Sequence, residues 1–374
     1  MKFDVSSTAL LSRLQSISKV IASKNTLPIL DSFLFNLAGN NLTITASDSE
    51  TRLVTSVEVM NAQGSGLFAV SAKILLDPLK ELPEQPLQFD INDDNLEIFI
   101  YFQNGKYNFI GQKGDTYPQQ KPLGENAISI NVDAQKLLNG LGRSLFATAD
   151  DELRPVMNGV YFDVSADNLT FVASDGHKLV LLKYLSNHSE EKAAFILPKK
   201  PANLLRVVLP KEQGTVSVKF DDNNAYFTCA NFEMICRLIE GRYPNYNSVI
   251  PQDNPYLITI DRVSFLAALK RVSVFSNASS SLVKLHLKDN QMVISAQDID
   301  FSTSAEEIIT CQYNGEELSI GFKATYLIDI LSNISSEEVV LKLADPSRAG
   351  LILPVENEED EDLLMLLMPM MLND

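Results

Sequence analysis

The chain repeats itself. Asn168-Leu-Thr-Phe-Val-Ala-Ser-Asp175 alternates like a strand and then breaks at Gly176. Asn41-Leu-Thr-Ile-Thr-Ala-Ser-Asp48 echoes it earlier, and Gln291-Met-Val-Ile-Ser-Ala-Gln-Asp298 echoes it later. Three strands that each end in an Ala-x-Asp turn read as one unit written three times, and internal repetition constrains architecture before any single motif does. Function then belongs to the arrangement of three modules rather than to one cleft.

The copies also align at their starts. Residues 3–11, 130–138 and 258–266 each read as a short strand running into a helix. Ser6, Asp133 and Asp261 share a column, where a side-chain oxygen can cap the first free N–H groups of the helix. In the first helix Leu10, Leu11, Leu14, Ile17 and Ile21 form an apolar stripe, with Arg13, Ser16 and Lys19 on another face. Alternating strands follow, at 32–37, 42–46, 160–164 and 283–287. A strand leading into a second helix comes next, at 67–82, 194–209 and 318–331. Each copy closes with more strands: 87–91 with 96–101, 216–220 with 225–230, and 339–343 with 350–355. Turn residues at 92–95 and 221–224 suit hairpins.

Asp115-Thr-Tyr-Pro118 and Gly241-Arg-Tyr-Pro244 mark the joins, because Pro biases its neighbour toward extended backbone. The expected domains are 1–122, 128–247 and 256–374. The expected fold class is α+β, three similar domains each with two helices packed on antiparallel sheet. Such a row leaves unpaired strand edges at both ends, a liability that head-to-tail closure of two chains would remove.

A chain of 374 residues exceeds one core, and its 45% hydrophobic content is that of a globular protein. Neither a charged-then-apolar leader nor a membrane-length apolar run is present, which predicts a cytoplasmic protein. Cys229, Cys236 and Cys311 are odd in number, lie in strand-like runs and lack paired ligand spacing, so they read as buried free thiols with no metal.

A net charge of −17 excludes wholesale coating by nucleic acid. The cations are nevertheless segregated. Residues 8–24 hold Arg13, Lys19 and Lys24 without an acid. Residues 199–211 hold Lys199, Lys200, Arg206 and Lys211 likewise, and residues 262–271 hold Arg262, Lys270 and Arg271. The first helix of the second copy adds Lys136 and Arg143. Lys73 and Lys80 are balanced by Asp77 and Glu81. Ordinary solvated helices can carry such faces, but recurrence across copies favours a surface that holds phosphates without reading bases.

Several stretches together carry a family. Thr26-Leu-Pro-Ile-Leu30, Asn158-Gly159, Ser174-Asp-Gly-His-Lys-Leu179, Gly241-Arg-Tyr-Pro-Asn-Tyr246, Gly321-Phe322 with Tyr326, and Met368-Pro-Met370 stand in order along the chain. With them the chain resembles the bacterial sliding clamps, the β subunits of the replicative DNA polymerase III holoenzyme. The resemblance implies a crescent of three domains that dimerises head-to-tail into a ring, with duplex DNA through a central hole lined by helices. It implies DNA contacts at Lys24, Lys73, Lys199, Lys200 and Arg206, to which the charge pattern adds Lys136, Arg143, Lys270 and Arg271. It also implies a shallow pocket for short peptides of the polymerase catalytic subunit, the clamp loader, and other polymerases and repair proteins.

Pocket positions matching the family are Arg154, Met157, Ser174, Gly176, His177, Lys178 and Leu179, then Pro244, Val249 and Tyr326, then Leu366, Leu367, Met368, Pro369, Met370 and Met371. Methionine suits a surface that accepts many partners. The apolar run 363–372 is expected to lie as a strand or pocket wall, after an exposed acidic loop at 356–362. For the dimer contact the family implies Lys106 and Tyr107 against Val274 and Phe275 of a second chain, with Glu306 and Glu307 as charge partners. The chain departs from the family in carrying Ser248 and Met371 where better-known members carry Arg, Pro155 and Val156 where aromatics occur beside Arg154, and Asn373-Asp374 past the usual final Leu.

Two other readings compete. Asp175-Gly-His177 could form an acid–base pair, since His titrates near neutral pH. The repeat puts Asp48 and Asp298 in the same column, which makes Asp175 a turn element instead. No phosphate loop, nucleophile motif or cofactor signature is present. A protein-interaction scaffold that does not touch DNA is the second alternative.

Overall fold

The computed structural model describes residues 1–119, 122–187, 189 and 192–372, so Asn373 and Asp374 lie outside the described residues. Among them are six α-helices: α1 Ser7–Ile17, α2 Ala72–Lys80, α3 Ala134–Ser144, α4 Lys199–Val208, α5 Arg262–Val272 and α6 Ala324–Ser332. The expected caps form. Ser6 Oγ accepts the Ala9 amide at 3.1 Å, Asp133 accepts those of Gln135 and Lys136 at 2.9 and 3.2 Å, and Asp261 accepts that of Ser264 at 2.7 Å. Each is worth about 1 kcal/mol. The stripe on α1 is shorter than its periodicity suggests. The helix tightens into a 3₁₀ turn at Ser18–Val20, so Val20 rather than Ile21 is buried, and Leu11 is only half-buried.

The recurring aspartate has one job in all three copies. Asp48 Oδ1 accepts the Glu50 and Thr51 amides at 2.8 and 2.6 Å. Asp175 Oδ1 accepts those of His177 and Lys178, both at 2.9 Å, and Asp298 Oδ1 those of Asp300 and Phe301 at 2.9 and 3.3 Å. A short carboxylate that bonds the backbone two residues on is the physical reason the Ala-x-Asp turn recurs.

The chain divides into two compact units, residues 1–138 with 200–238 and residues 139–199 with 239–374. The first holds a five-stranded sheet ending in Gly105–Ile110 and a nine-stranded sheet. In the latter, Thr51–Glu58 of copy one pairs antiparallel with Phe232–Arg237 of copy two, Thr55 opposite Phe232. Its core includes Phe35 stacked on Phe68 at 5.1 Å. The second unit holds a four-stranded sheet ending in Thr303–Thr310 and an eight-stranded sheet. There Lys178–Tyr184 of copy two pairs with Glu361–Leu367 of copy three, Leu179 opposite Leu366 and Tyr184 opposite Glu361. Each seam therefore joins the strand after one copy's Ala-x-Asp turn to the last strand of the next copy.

The Tyr-Pro joins are pinned. Tyr117 is buried with the Arg52 guanidinium 5.9 Å from its ring centre, and Tyr243 is buried and stacked on Tyr161 at 4.6 Å. Cys236 and Cys311 are buried as expected, but Cys229 is only half-buried. It lies just past the Asn224–Thr228 strand, in the connection to Phe232–Arg237.

Candidate functional site

The second unit gathers most of the expected pocket. The carbonyl of His177, exposed on the Asp175 turn, accepts the Met368 amide at 2.8 Å. Its ring faces Tyr326 of α6 at 6.0 Å. The Lys178 ammonium is 2.7 Å from Asp175 Oδ2 and 4.1 Å from the centre of the Tyr326 ring. Lys323 stands over the same ring at 4.7 Å. A cation on an aromatic face contributes about 0.5–2 kcal/mol, more as water is excluded.

Glycine is required at position 176. Its φ is +90°, and a Cβ there would fall 2.8 Å from Nη1 of Arg154. Arg154 is itself aimed by Asp151, whose Oδ2 accepts from Nε at 2.8 Å. Met370 donates its amide to the Gly321 carbonyl at 2.8 Å. The tail thus runs from His177 to Gly321, with Met368 42% and Met371 79% exposed. Leu179 and Leu366 share an apolar cluster with Tyr243, and Val156 and Ile250 pack against it. Pro244 and Val249 flank Tyr243 and Ile250 in the chain, and both are exposed.

Met157, Ser174, Lys178, Leu179, Leu366 and Leu367 of the expected pocket are all buried. Ser174 Oγ donates to the Lys178 carbonyl at 2.8 Å. Sequence reasoning noted Lys323 only as a helix cation near Asp329 and did not place it in the pocket. The signal was present, since it stands three residues before Tyr326 at the start of α6, a spacing that lets side chains meet.

The electrostatics exclude an acid–base pair. Burial alone would raise the Asp175 carboxyl, but the Lys178 ammonium and the two turn amides outweigh it and hold it below the usual range. Both its oxygens are occupied by backbone and Lys178, not by the imidazole. Burial raises Asp329 despite Lys178 nearby. An aromatic face with cations beside it and exposed Met368 and Met371 can hold an apolar peptide.

The cations expected to meet DNA fall into two sets. Lys24, Lys73 on α2, Arg206 on α4 and Lys270 on α5 are exposed and make no ion pair among the described residues. Lys199 pairs with Asp150, Lys200 with Asp48 and the Val20 carbonyl, and Lys136 is half-buried. Arg143 is a correction. Its side chain is 12% exposed and is taken up by Glu358 at 2.6 Å and Glu361 at 2.7 Å. It grips the last strand of the next copy and is not free for phosphate.

A second correction concerns the dimer contact. Glu307 is held bidentately by Arg271 of its own chain, at 2.8 and 2.6 Å. The mutual hydrogen bonds lower the Glu307 carboxyl and raise Arg271. Glu306 remains exposed, and Ile308 beside it is 61% exposed. Val274 and Phe275, in the 3₁₀ turn after α5, are 76% and 41% exposed. On the other outermost strand, Lys106 lies over Phe99 at 5.3 Å, Tyr107 packs on Phe102, and Ile110 is 78% exposed.

Among the described residues no helix is long and apolar enough to cross a membrane.

Family models match along the chain: the DNA polymerase III beta subunit N-terminal domain over residues 1–121, its central domain over 131–245 and its C-terminal domain over 247–371. The beta sliding clamp of Pseudomonas putida is 29% identical over 366 residues, 98% of this chain and 99% of that protein. That of Haemophilus influenzae is 27% identical, covering all of both chains. Among solved structures, the sliding clamp of Pseudomonas aeruginosa bound to griselimycin superposes with a TM-score of 0.94 at 27% identity over all of both chains. That of Bartonella birtlesii gives 0.92 at 27% identity, again over all of both chains. Matched from its first copy to its third, the chain belongs to the DNA polymerase III beta subunit family, the DNA sliding clamps.

Proposed function

We propose that two copies of this chain close head-to-tail around duplex DNA and tether replication proteins to it, with domains at 1–122, 128–247 and 256–374. The seam rule supports closure. Copy one hands its strand to copy two, and copy two to copy three, in the same antiparallel pairing. Applied once more, Thr303–Thr310 of copy three pairs with Gly105–Ile110 of a second chain, and both free edges vanish. Lys24, Lys73, Arg206 and Lys270 face the phosphates, with Lys136, Lys199 and Lys200 beside them. The His177–Tyr326–Met368 site takes clamp-binding peptides of the polymerase catalytic subunit, the clamp loader and repair proteins. The chain acts as a cytoplasmic processivity factor and not as a catalyst.

Topological retention is the test. Loaded on a nicked circular plasmid, the protein stays bound through a high-salt wash and is lost when the plasmid is linearised. Retention that ignores linearisation would refute encirclement.

A further inference from the structure

The strand pair behind the peptide site carries little register information of its own. Leu363-Leu364-Met365-Leu366 faces Leu182-Leu181-Val180-Leu179 in antiparallel order, and Leu367 faces Lys178. Leu363, Met365, Leu366 and Leu367 are buried, and so are all four residues opposite. A sheet's register is well specified when one face is apolar and the other polar, because a slip then exposes the wrong side chains. Here a slip exchanges Leu for Leu or Met, a volume-conserving change that costs less than about 1.5 kcal/mol. Turn geometry does not fix it either. The preceding strand, Gly350–Pro354, is joined to Glu361–Leu367 by the six residues 355–360 rather than by a tight two-residue turn, and pairs with it only from Ile352 opposite Met365 to Gly350 opposite Leu367.

Polar contacts hold both ends of this pair: at one end Lys178 pairs with Asp175 and the Met368 amide bonds the His177 carbonyl, and at the other stands a cluster of acids. Glu361 is 8% exposed. Its Oε2 accepts from Arg143 at 2.7 Å and its Oε1 from Asn139 at 2.7 Å. Asn139 also donates to the hydroxyl of Tyr184 at 3.1 Å, and Tyr184 is the cross-strand partner of Glu361. Next to it, Asp360 accepts from Ser186 Oγ at 2.6 Å, and Asp362 pairs with Lys183 at 3.3 Å. The acidic stretch at 356–362 thus supplies every acid of that cluster.

We propose that the Arg143–Glu361 contact fixes the register of this strand pair and so positions the peptide site at its far end. Specifying register is the best-attested use of a buried polar group. One strand pitch of about 3.3 Å per residue means that a two-residue slip carries Met368 roughly 7 Å along the strand. Its amide then leaves the His177 carbonyl, and Leu366 leaves Leu179. Arg143 is a positioning residue for partner binding, reached through a strand that also forms the pocket wall.

Only the consequence for binding rests on the peptide site proposed above; the register itself is read without it. Cysteine pairs report it in the full-length protein: Val180→Cys with Met365→Cys stand opposite, whereas Val180→Cys with Leu363→Cys are two places off. With Arg143 and Glu361 intact, mild oxidation links only the opposite pair. In an Arg143→Ala, Glu361→Gln background the offset pair links as well. In parallel, a fluorescent synthetic peptide from the polymerase catalytic subunit binds Glu361→Gln at least fivefold more weakly than wild type, and Arg143→Lys recovers part of what Arg143→Ala loses. An offset pair that stays unlinked in the doubly substituted background overturns the proposal. A shifted register with no peptide binding by wild type would instead condemn the pocket reading. Should the double variant not fold, Glu361→Gln alone, which keeps the shape of the side chain, decides the same way.

Discussion

Asp175 and His177 are close in the chain without forming a catalytic pair: the carboxylate accepts the His177 backbone amide at 2.9 Å, while the imidazole lies against Tyr326. The aspartate is therefore structural, and its loss strands the buried Lys178 ammonium. Removing one partner of a buried pair costs about 3–5 kcal/mol. Asp175→Ala should destabilise the protein by that order in urea melts at pH 7. Because the folded carboxyl lies below its unfolded value, the stabilisation is present above about pH 4 and fades as pH falls through the folded value. The gap between wild type and variant should shrink at pH 3. An equal gap at both pH values would contradict the ion pair.

Phosphate contact separates the free cations from the occupied ones. Each Lys or Arg that neutralises a phosphate adds about 0.9 to the log–log salt slope of binding. Substituting Lys73 or Arg206 with Gln should lower the slope for linear duplex by about that much each. Arg143→Gln should leave it unchanged, since Glu358 and Glu361 already hold that guanidinium. A drop in slope with Arg143→Gln would return it to the DNA surface.

These cases mark what could be read from the residues. Caps at Ser6, Asp133 and Asp261 and the three aspartate turns depend on neighbours two or three residues away, so local sequence carried them. The repeat likewise exposed the copies, and the family motifs brought out the residues that meet around Tyr326. Charge counting along a helix could not tell Lys73 from Arg143. What differs is an acid from Glu361, more than two hundred residues away in the chain. The Arg271–Glu307 pair was hidden for the same reason, since it forms between helix α5 and the strand Thr303–Thr310. Copy-to-copy strand pairing was also invisible, because an all-apolar strand such as 363–367 fits several registers.

The closure proposed through the two outer strands would bury apolar side chains that water reaches in the single chain. Ile110 and Ile308 are 78% and 61% exposed on Gly105–Ile110 and Thr303–Thr310. Ile308→Glu, or Ile110→Glu, should convert a dimer of 41.5 kDa chains into monomer in sedimentation at micromolar concentration. Glu307→Gln should leave the dimer intact, because that carboxylate serves Arg271. A dimer that survives both isoleucine changes would place the contact elsewhere.

The thiols should be inert while the chain is folded. Burial pushes Cys229 up to about 12 and raises Cys311, and Cys236 is fully buried. The thiolate is the reactive form. Iodoacetamide at pH 8 should label none of the three in an hour, and all three after urea unfolding. Rapid labelling of Cys229 in the native protein would show that its strand end opens.

Peptide capture gives the sharpest test of the pocket, because its parts fail differently. Tyr326→Ala removes the ring that meets His177, Lys178 and Lys323, and should weaken the polymerase peptide by roughly tenfold, the equivalent of about 1.4 kcal/mol. Gly176→Ala forces a side chain into a φ of +90° and against Arg154, so it should weaken binding while Tyr326 stays in place. Deleting residues 368–374 strips away the Met368 and Met370 contacts and should abolish binding, yet the strand Glu361–Leu367 keeps its partners and the melting transition should persist. Isothermal titration of the three variants against wild type distinguishes them. Undiminished affinity after the deletion would take the tail out of the site, and the wall would then have to be sought around Val249 instead.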